Sequence, residues 1–66
     1  MKAKNGAIEV WKVVIKSKSN FDQRIFYVSA TSAAKAEKRA LLLEKKNEDK
    51  LKQPYCSSAN FEHYVE

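Results

Sequence analysis

The chain has 66 residues, is 44% hydrophobic and carries a net charge of +5 from 13 Lys and Arg against 8 Asp and Glu. This length allows one domain, residues 1–66, and the apolar fraction excludes a disordered chain. The longest uncharged stretch, residues 25–34, is too short to cross a bilayer, and no apolar run follows the basic start. We therefore expect a cytoplasmic protein with no membrane partner, and the single Cys56 predicts no internal disulfide.

Two segments rich in β-branched and aromatic residues predict an antiparallel hairpin. After a loose lead-in at residues 1–7, the first strand is predicted at residues 8–16 and the second at residues 24–29. The polar turn between them centres on Ser19 and Asn20. Asn20 tolerates the left-handed conformation that a tight turn needs.

The register of this hairpin decides which side chains reach the core. A turn centred on Ser19 and Asn20 places four apolar residues on one face: Trp11, Val13, Phe26 and Val28. The opposite face, called the open face here, then holds Lys12, Val14, Lys16, Ile25 and Tyr27. A loop longer by one residue would exchange the second-strand members of the two faces.

A helix is predicted over residues 33–46, since Thr31 or Ser32 can cap it and the segment is rich in Ala, Leu, Lys and Glu. Its buried face is expected to contain Ala36, Ala40 and Leu43, at i, i+4 and i+7. Glu44 is expected to lie beside basic neighbours in a surface pair.

The end of the chain predicts a return to the sheet. The helix could extend through Lys52 before Gln53-Pro54 stops it. Residues 55–59 are expected to form a loop, and residues 61–65 a short third strand. The fold class predicted is α+β, a ββαβ two-layer domain with a three-stranded antiparallel sheet in the order 2-1-3 and one helix on one face.

Few residues suit catalysis or metal binding. Cys56, His63, Glu62 and Glu66 form the one cluster of ligand types, and one Cys and one His do not match zinc spacings. Gly6 is the only glycine, so no phosphate-binding loop is present. We expect no metal, no cofactor, no small-molecule substrate and no enzymatic activity.

The open face predicts a partner site instead. Apolar and aromatic side chains rimmed by lysines, and flanked by Glu62 and Tyr64, suggest a docking surface. The alternative is an ordinary solvated face on which lysine stems cover apolar atoms. The edge of the second strand could also accept a partner strand, unless Arg24 and the turn lysines discourage pairing.

A second interpretation is a basic nucleic-acid-binding module that uses the lysine-rich hairpin. A β-ribbon can enter the major groove, although eleven Lys against two Arg weaken base-specific recognition. The two interpretations share one set of candidate binding residues: Lys12, Val14, Lys16, Lys18, Arg24, Ile25 and Tyr27.

The hairpin of residues 10–29, followed by Ala30-Thr31-Ser32 and a helix with Ala36 and Ala40, resembles small bacteriophage proteins. The pattern is similar to the podophage inhibitors of bacterial RNA polymerase and to small anti-CRISPR proteins. This resemblance implies a non-enzymatic protein that binds and inhibits a bacterial host protein complex by protein–protein contact. The polymerase inhibitors use acidic contacts whereas this chain is basic, so no contact residue is carried over.

Overall fold

The computed structural model describes residues 8–65. It contains β1 (Ile8–Ser17), β2 (Gln23–Ser29), α1 (Ala33–Lys46) and β3 (Pro54–Val65). The strands form one antiparallel sheet in the order β2-β1-β3, and α1 packs on one face of it. The predicted ββαβ fold and its strand order are confirmed, while the predicted lead-in at residues 1–7 lies outside the described residues.

The register of the hairpin is the predicted one. Trp11 pairs with Val28 and Val13 pairs with Phe26. The connection is longer than a two-residue turn, because the N–H of Ser17 donates to the carbonyl of Asp22 at 3.0 Å. The prediction of a left-handed Asn20 is wrong: in the described residues the one non-glycine residue with positive φ is Gln53, at 45°.

The core lies between the sheet and the helix. Ala36 and Ala40 are fully buried, and their small side chains let α1 approach the strands closely. Trp11 packs against this core and its Nε1–H donates to the carbonyl of Ala30 at 3.0 Å. The buried apolar side chains are Val13, Ile15, Val28, Ala30, Ala36 and Ala40.

The buried face of α1 departs from the prediction at its last turn. Leu43 is 44% exposed, and Glu44, expected on the surface, is only 1% exposed. Arg24 explains why Glu44 is buried in place of Leu43, because Arg24 faces the helix from β2 and forms an ion pair with Glu44. A buried carboxylate with a charged partner and further hydrogen bonds is tolerated at a position where periodicity alone favours leucine.

The helix begins and ends where local hydrogen bonds replace the helical ones. Ser32 caps the start by accepting from the N–H of Lys35. After Lys46, Asn47 adopts an extended conformation and its side chain accepts from the N–H of Asp49 at 3.2 Å. Extension of the helix to Lys52 is therefore wrong.

The third strand is longer than predicted. It spans Pro54–Val65, so the expected loop at residues 55–59 is wrong. Two register shifts against β1 leave Ser57 and Glu62 as extra residues, one in each bulge. The bulge at Ser57 breaks the alternation of side chains in the first half of β3, so this segment does not show the regular pattern of a strand.

Candidate binding surface

The open face forms as predicted on the side of the sheet away from α1. Lys12 pairs with Tyr27, and Val14 pairs with Ile25, so their side chains point to the same side. Tyr27 is 60% exposed and Ile25 is 43% exposed. Among the described elements, the helix packs on the opposite face. Lys16 completes the set, so five of the seven candidate residues share one uncovered surface.

The other two candidate residues lie elsewhere. Lys18 follows β1 in the connection, and its Nζ lies 5.9 Å from the centre of the Tyr55 ring. Tyr55 pairs with Lys16, so this contact joins Lys18 to the rim of the open face. Arg24 faces the helix, where its guanidinium binds Glu44 and donates to the carbonyl of Asp49 at 2.9 Å.

One expected flank of the open face is also on the other side. Tyr64 pairs with Glu9, whose side chain points toward the helical side of the sheet. The centre of the Tyr64 ring lies 4.8 Å from the centre of the Phe61 ring, and Phe61 packs edge-on against Trp11. The prediction that Tyr64 flanks the open face is therefore wrong.

The outer edge of β2 presents backbone groups to solvent at alternate residues. The β1–β2 pairing has a hydrogen bond at each of its two ends. The N–H of Ser17 donates to the carbonyl of Asp22, and the N–H of Ala30 donates to the carbonyl of Glu9. Because bonded and non-bonded pairs alternate in an antiparallel ladder, even-numbered residues of β2 bond to β1. The N–H and C=O groups that point outward belong to Gln23, Ile25, Tyr27 and Ser29.

One of these outward carbonyls already has a partner. The Nη1 of Arg39 donates to the Ser29 carbonyl at 2.7 Å and approaches the Ser29 hydroxyl at 3.1 Å. Arg39 reaches this position from α1, so the helix covers one end of the β2 edge. The remaining outward groups, at Gln23, Ile25 and Tyr27, form a short regular template for another strand.

A groove of about 350 Å³ runs between this edge and α1. Leu42 and Leu43 line it and are 55% and 44% exposed. Leu43 was expected on the buried face of the helix. Three consecutive leucines exceed what one helix face can bury, and that signal could have indicated the groove. This edge groove is lined by Tyr27, Val28, Ser29, Arg39, Leu42, Leu43 and Lys46.

Phe21 is a further exposed residue that the sequence analysis missed. It is fully exposed in the connection between β1 and β2. A shallow depression beside it is lined by Lys16 and Tyr55, which places Phe21 next to the open face. An aromatic residue inside a polar turn has no core position available, and this pattern in the sequence could have identified Phe21 as exposed.

The residues considered for catalysis do not meet. Cys56 pairs with Ile15 on the helical side of the sheet, whereas His63 pairs with Val10 on the other side. Burial raises the pKa of the Cys56 thiol above its ordinary value, and the Glu37 carboxylate raises it further. The thiol is therefore protonated at neutral pH and is a weak nucleophile.

Residues 8–65 contain neither a metal-binding cluster nor a membrane-spanning helix. No group of three or more His, Cys, Asp or Glu side chains is placed to hold a metal ion within this range. The described helix is neither long enough nor apolar enough to cross a membrane.

Comparison of the chain with protein-family models, curated proteins and solved structures finds no match. These comparisons do not link the chain to phage inhibitors. The function is therefore inferred from the exposed surface.

Proposed function

We propose that this chain is a non-enzymatic binding module that contacts a partner protein through the open face and the adjoining edge of β2. The observation that supports this most directly is the exposure of Tyr27 and Ile25 beside Lys12 and Lys16 on a sheet face that no described element covers. Aromatic and aliphatic side chains give contact area, and a lysine rim directs the approach of an acidic surface.

In its most specific form, the module is a phage-type inhibitor of a bacterial host complex, such as RNA polymerase or a CRISPR-Cas system. The resemblance of residues 9–46 to small phage proteins supports this form. A stoichiometric inhibitor needs only a stable contact surface, which agrees with the separation of Cys56 and His63 on opposite sheet faces.

The second candidate function is nucleic-acid binding, favoured by Lys12, Lys16 and Lys18 along one strand and its turn. Arg24 is not available to it in the same way, because its guanidinium is engaged by Glu44 and Asp49. The open face between the lysines is apolar, whereas a phosphate backbone needs charge along its whole path. A protein partner therefore fits this surface better.

Affinity capture from bacterial lysate with three matched baits tests the proposal. The first bait is the unchanged chain, and the second carries Lys12→Glu and Lys16→Glu on the open face. The third carries Lys38→Glu and Lys45→Glu, the same charge change on the exposed outer side of α1. We expect one protein complex to be retained by the first and third baits and lost by the second.

Nuclease treatment and a salt series distinguish the two candidate functions. Capture that survives nuclease supports protein binding. Capture that disappears with nuclease and falls steeply with salt supports nucleic acid instead. Equal retention by all three baits, or equal loss by both variants, would contradict a role for the open face.

A further inference from the structure

We infer that the β2 edge takes up one extended segment of the partner as an added strand, in which acidic, apolar and acidic residues occupy alternate positions. This inference rests on the binding function proposed above and names the chemistry of the segment that the partner presents. Backbone pairing along the edge supplies the affinity, and the edge groove supplies the selectivity.

The backbone of β2 fixes the length of the segment. Gln23, Ile25 and Tyr27 point their N–H and C=O groups outward, and alternate residues of a strand are about 7 Å apart. Arg39 occupies the next outward carbonyl, at Ser29. A partner strand of about five to seven residues would match the groups that remain.

The edge groove fixes the side chains of that segment. Every second side chain of an added strand points toward α1, where Leu42 and Leu43 are exposed. Arg39 and Lys46 lie on either side of these leucines along the helix, seven residues apart, or about 10 Å along its axis. Strand residues at i and i+4 are about 13 Å apart, with i+2 between them.

An acidic residue at i and i+4 with an apolar residue at i+2 therefore fits this spacing. The charged side chains that line the groove are Arg39 and Lys46, both basic. Arg39 uses one terminal nitrogen on Ser29, and its guanidinium has further N–H donors for a carboxylate. Carboxylates placed at both ends of the groove would be attracted by the two cations.

A second copy of this chain fits the edge less well. Antiparallel pairing of two β2 edges would bring the basic residues of both grooves together in a pair of chains that each carry +5. Nucleic acid also fits less well, because exposed leucines at the centre of the groove offer no contact to phosphate. An acidic and apolar strand satisfies the backbone, the leucines and the cations together.

Binding of synthetic peptides to the full chain tests this inference. The probe is the capped heptapeptide TETVTET, which has the proposed spacing. The charge control is TKTVTKT, and the order control is TVTETET, which has the same composition as the probe. We expect the probe to bind at least about tenfold more tightly than either control, a difference of about one charged hydrogen bond.

Amide hydrogen exchange locates the peptide. At saturation with TETVTET, the amides of Gln23, Ile25 and Tyr27 should become protected, while those of Arg24 and Phe26 should change little. Unchanged exchange at the three outward amides, or equal binding of the three peptides, would overturn the inference. Concentration-dependent dimerisation that protects the same amides without peptide would also overturn it, in favour of a second copy.

Three variants test the backbone and the charge separately. Ile25→Pro removes an outward N–H without removing a β1–β2 hydrogen bond, and Ile25→Thr keeps that N–H. We expect the proline variant to weaken the peptide by about tenfold relative to the threonine variant. Lys46→Glu leaves the backbone unchanged and should reduce the preference for TETVTET over TKTVTKT; an unchanged preference would contradict the charge assignment.

The same variants separate failure of this inference from failure of the proposed function. If the captured complex is lost with Lys12→Glu and Lys16→Glu but fully retained with Ile25→Pro, the open face binds the partner and strand addition is wrong. If all of these variants retain it equally, the proposed function is wrong as well.

Discussion

The two outer edges of the sheet differ in regularity. β2 has seven residues and pairs with β1 without a register shift. β3 has twelve residues and contains two bulges, in which Ser57 and Glu62 have no residue opposite them on β1. The longer edge is thus the interrupted one, and the shorter edge is continuous.

The difference shows how one small sheet can protect one edge and leave the other available. Bulges twist a strand and break the even spacing of its outward N–H groups, so they discourage pairing with another chain. β2 has no such interruption, and Arg39 caps only its final carbonyl. If this account is correct, loss of the hold of α1 on β2 should destabilise the fold, and making the β3 edge regular should increase self-association.

The largest expected effect follows from releasing β2 from the helix. Glu44→Ala removes a carboxylate that binds Arg24 and accepts from the N–H of Leu51 at 2.7 Å. We expect the free energy of unfolding to fall by about 3 kcal/mol, because Arg24 is left without its charged partner and a buried cavity forms. Urea unfolding followed by circular dichroism measures this change.

Glu37→Ala is the matched control for that experiment, since Glu37 is an exposed glutamate on the same helix. We expect it to change stability by less than about 0.5 kcal/mol. If both variants lose the same small amount of stability, Glu44 does not hold β2 to the helix and the account of its burial is wrong.

A smaller effect is expected when the β3 edge is made regular. Deletion of Ser57 joins Cys56 to Ser58, whose partners Ile15 and Val14 are already adjacent on β1. The longer regular edge should strengthen self-association about tenfold, the effect of about one additional backbone hydrogen bond. Sedimentation equilibrium measures it, and Ser57→Ala, which keeps the bulge, should remain at the level of the unchanged chain.

The smallest expected effect is that of Cys56, on the helical side of β3, on the stability of the fold at alkaline pH. The raised pKa of Cys56 means that the folded state keeps the thiol proton to higher pH than the unfolded state does. The contribution of Cys56 to the free energy of unfolding is therefore complete below about pH 8.5, and it is lost as pH rises through the pKa of the folded state. Stability should fall less steeply above that pH in Cys56→Ala than in the unchanged chain, and parallel curves would contradict this.

The sequence predicted the β1–β2 half of the molecule well, for clear physical reasons. Alternation with period two and a short polar turn restrict the register, because a slip by one residue would expose Val28 and bury Tyr27. The sheet order followed from the helix crossover, and with it the prediction that β2 has a free edge.

The remaining features depend on contacts between distant residues. Helical periodicity cannot choose between Leu43 and Glu44, and the choice was decided by Arg24, twenty residues earlier. The start of β3 was missed because Ser57 and Ser58 are neither β-branched nor aromatic and the bulge shifts their alternation. The edge groove depends on how far α1 lies from β2, which no local pattern specifies.

Residue-by-residue amide hydrogen exchange of the isolated chain, measured by NMR, tests the central claim most directly. The account predicts alternation along β2, with slow exchange at Arg24, Phe26 and Val28 and fast exchange at Ile25 and Tyr27. Uniformly slow exchange at these five amides at low protein concentration would mean that the β2 edge is already covered, and would contradict its availability to a partner.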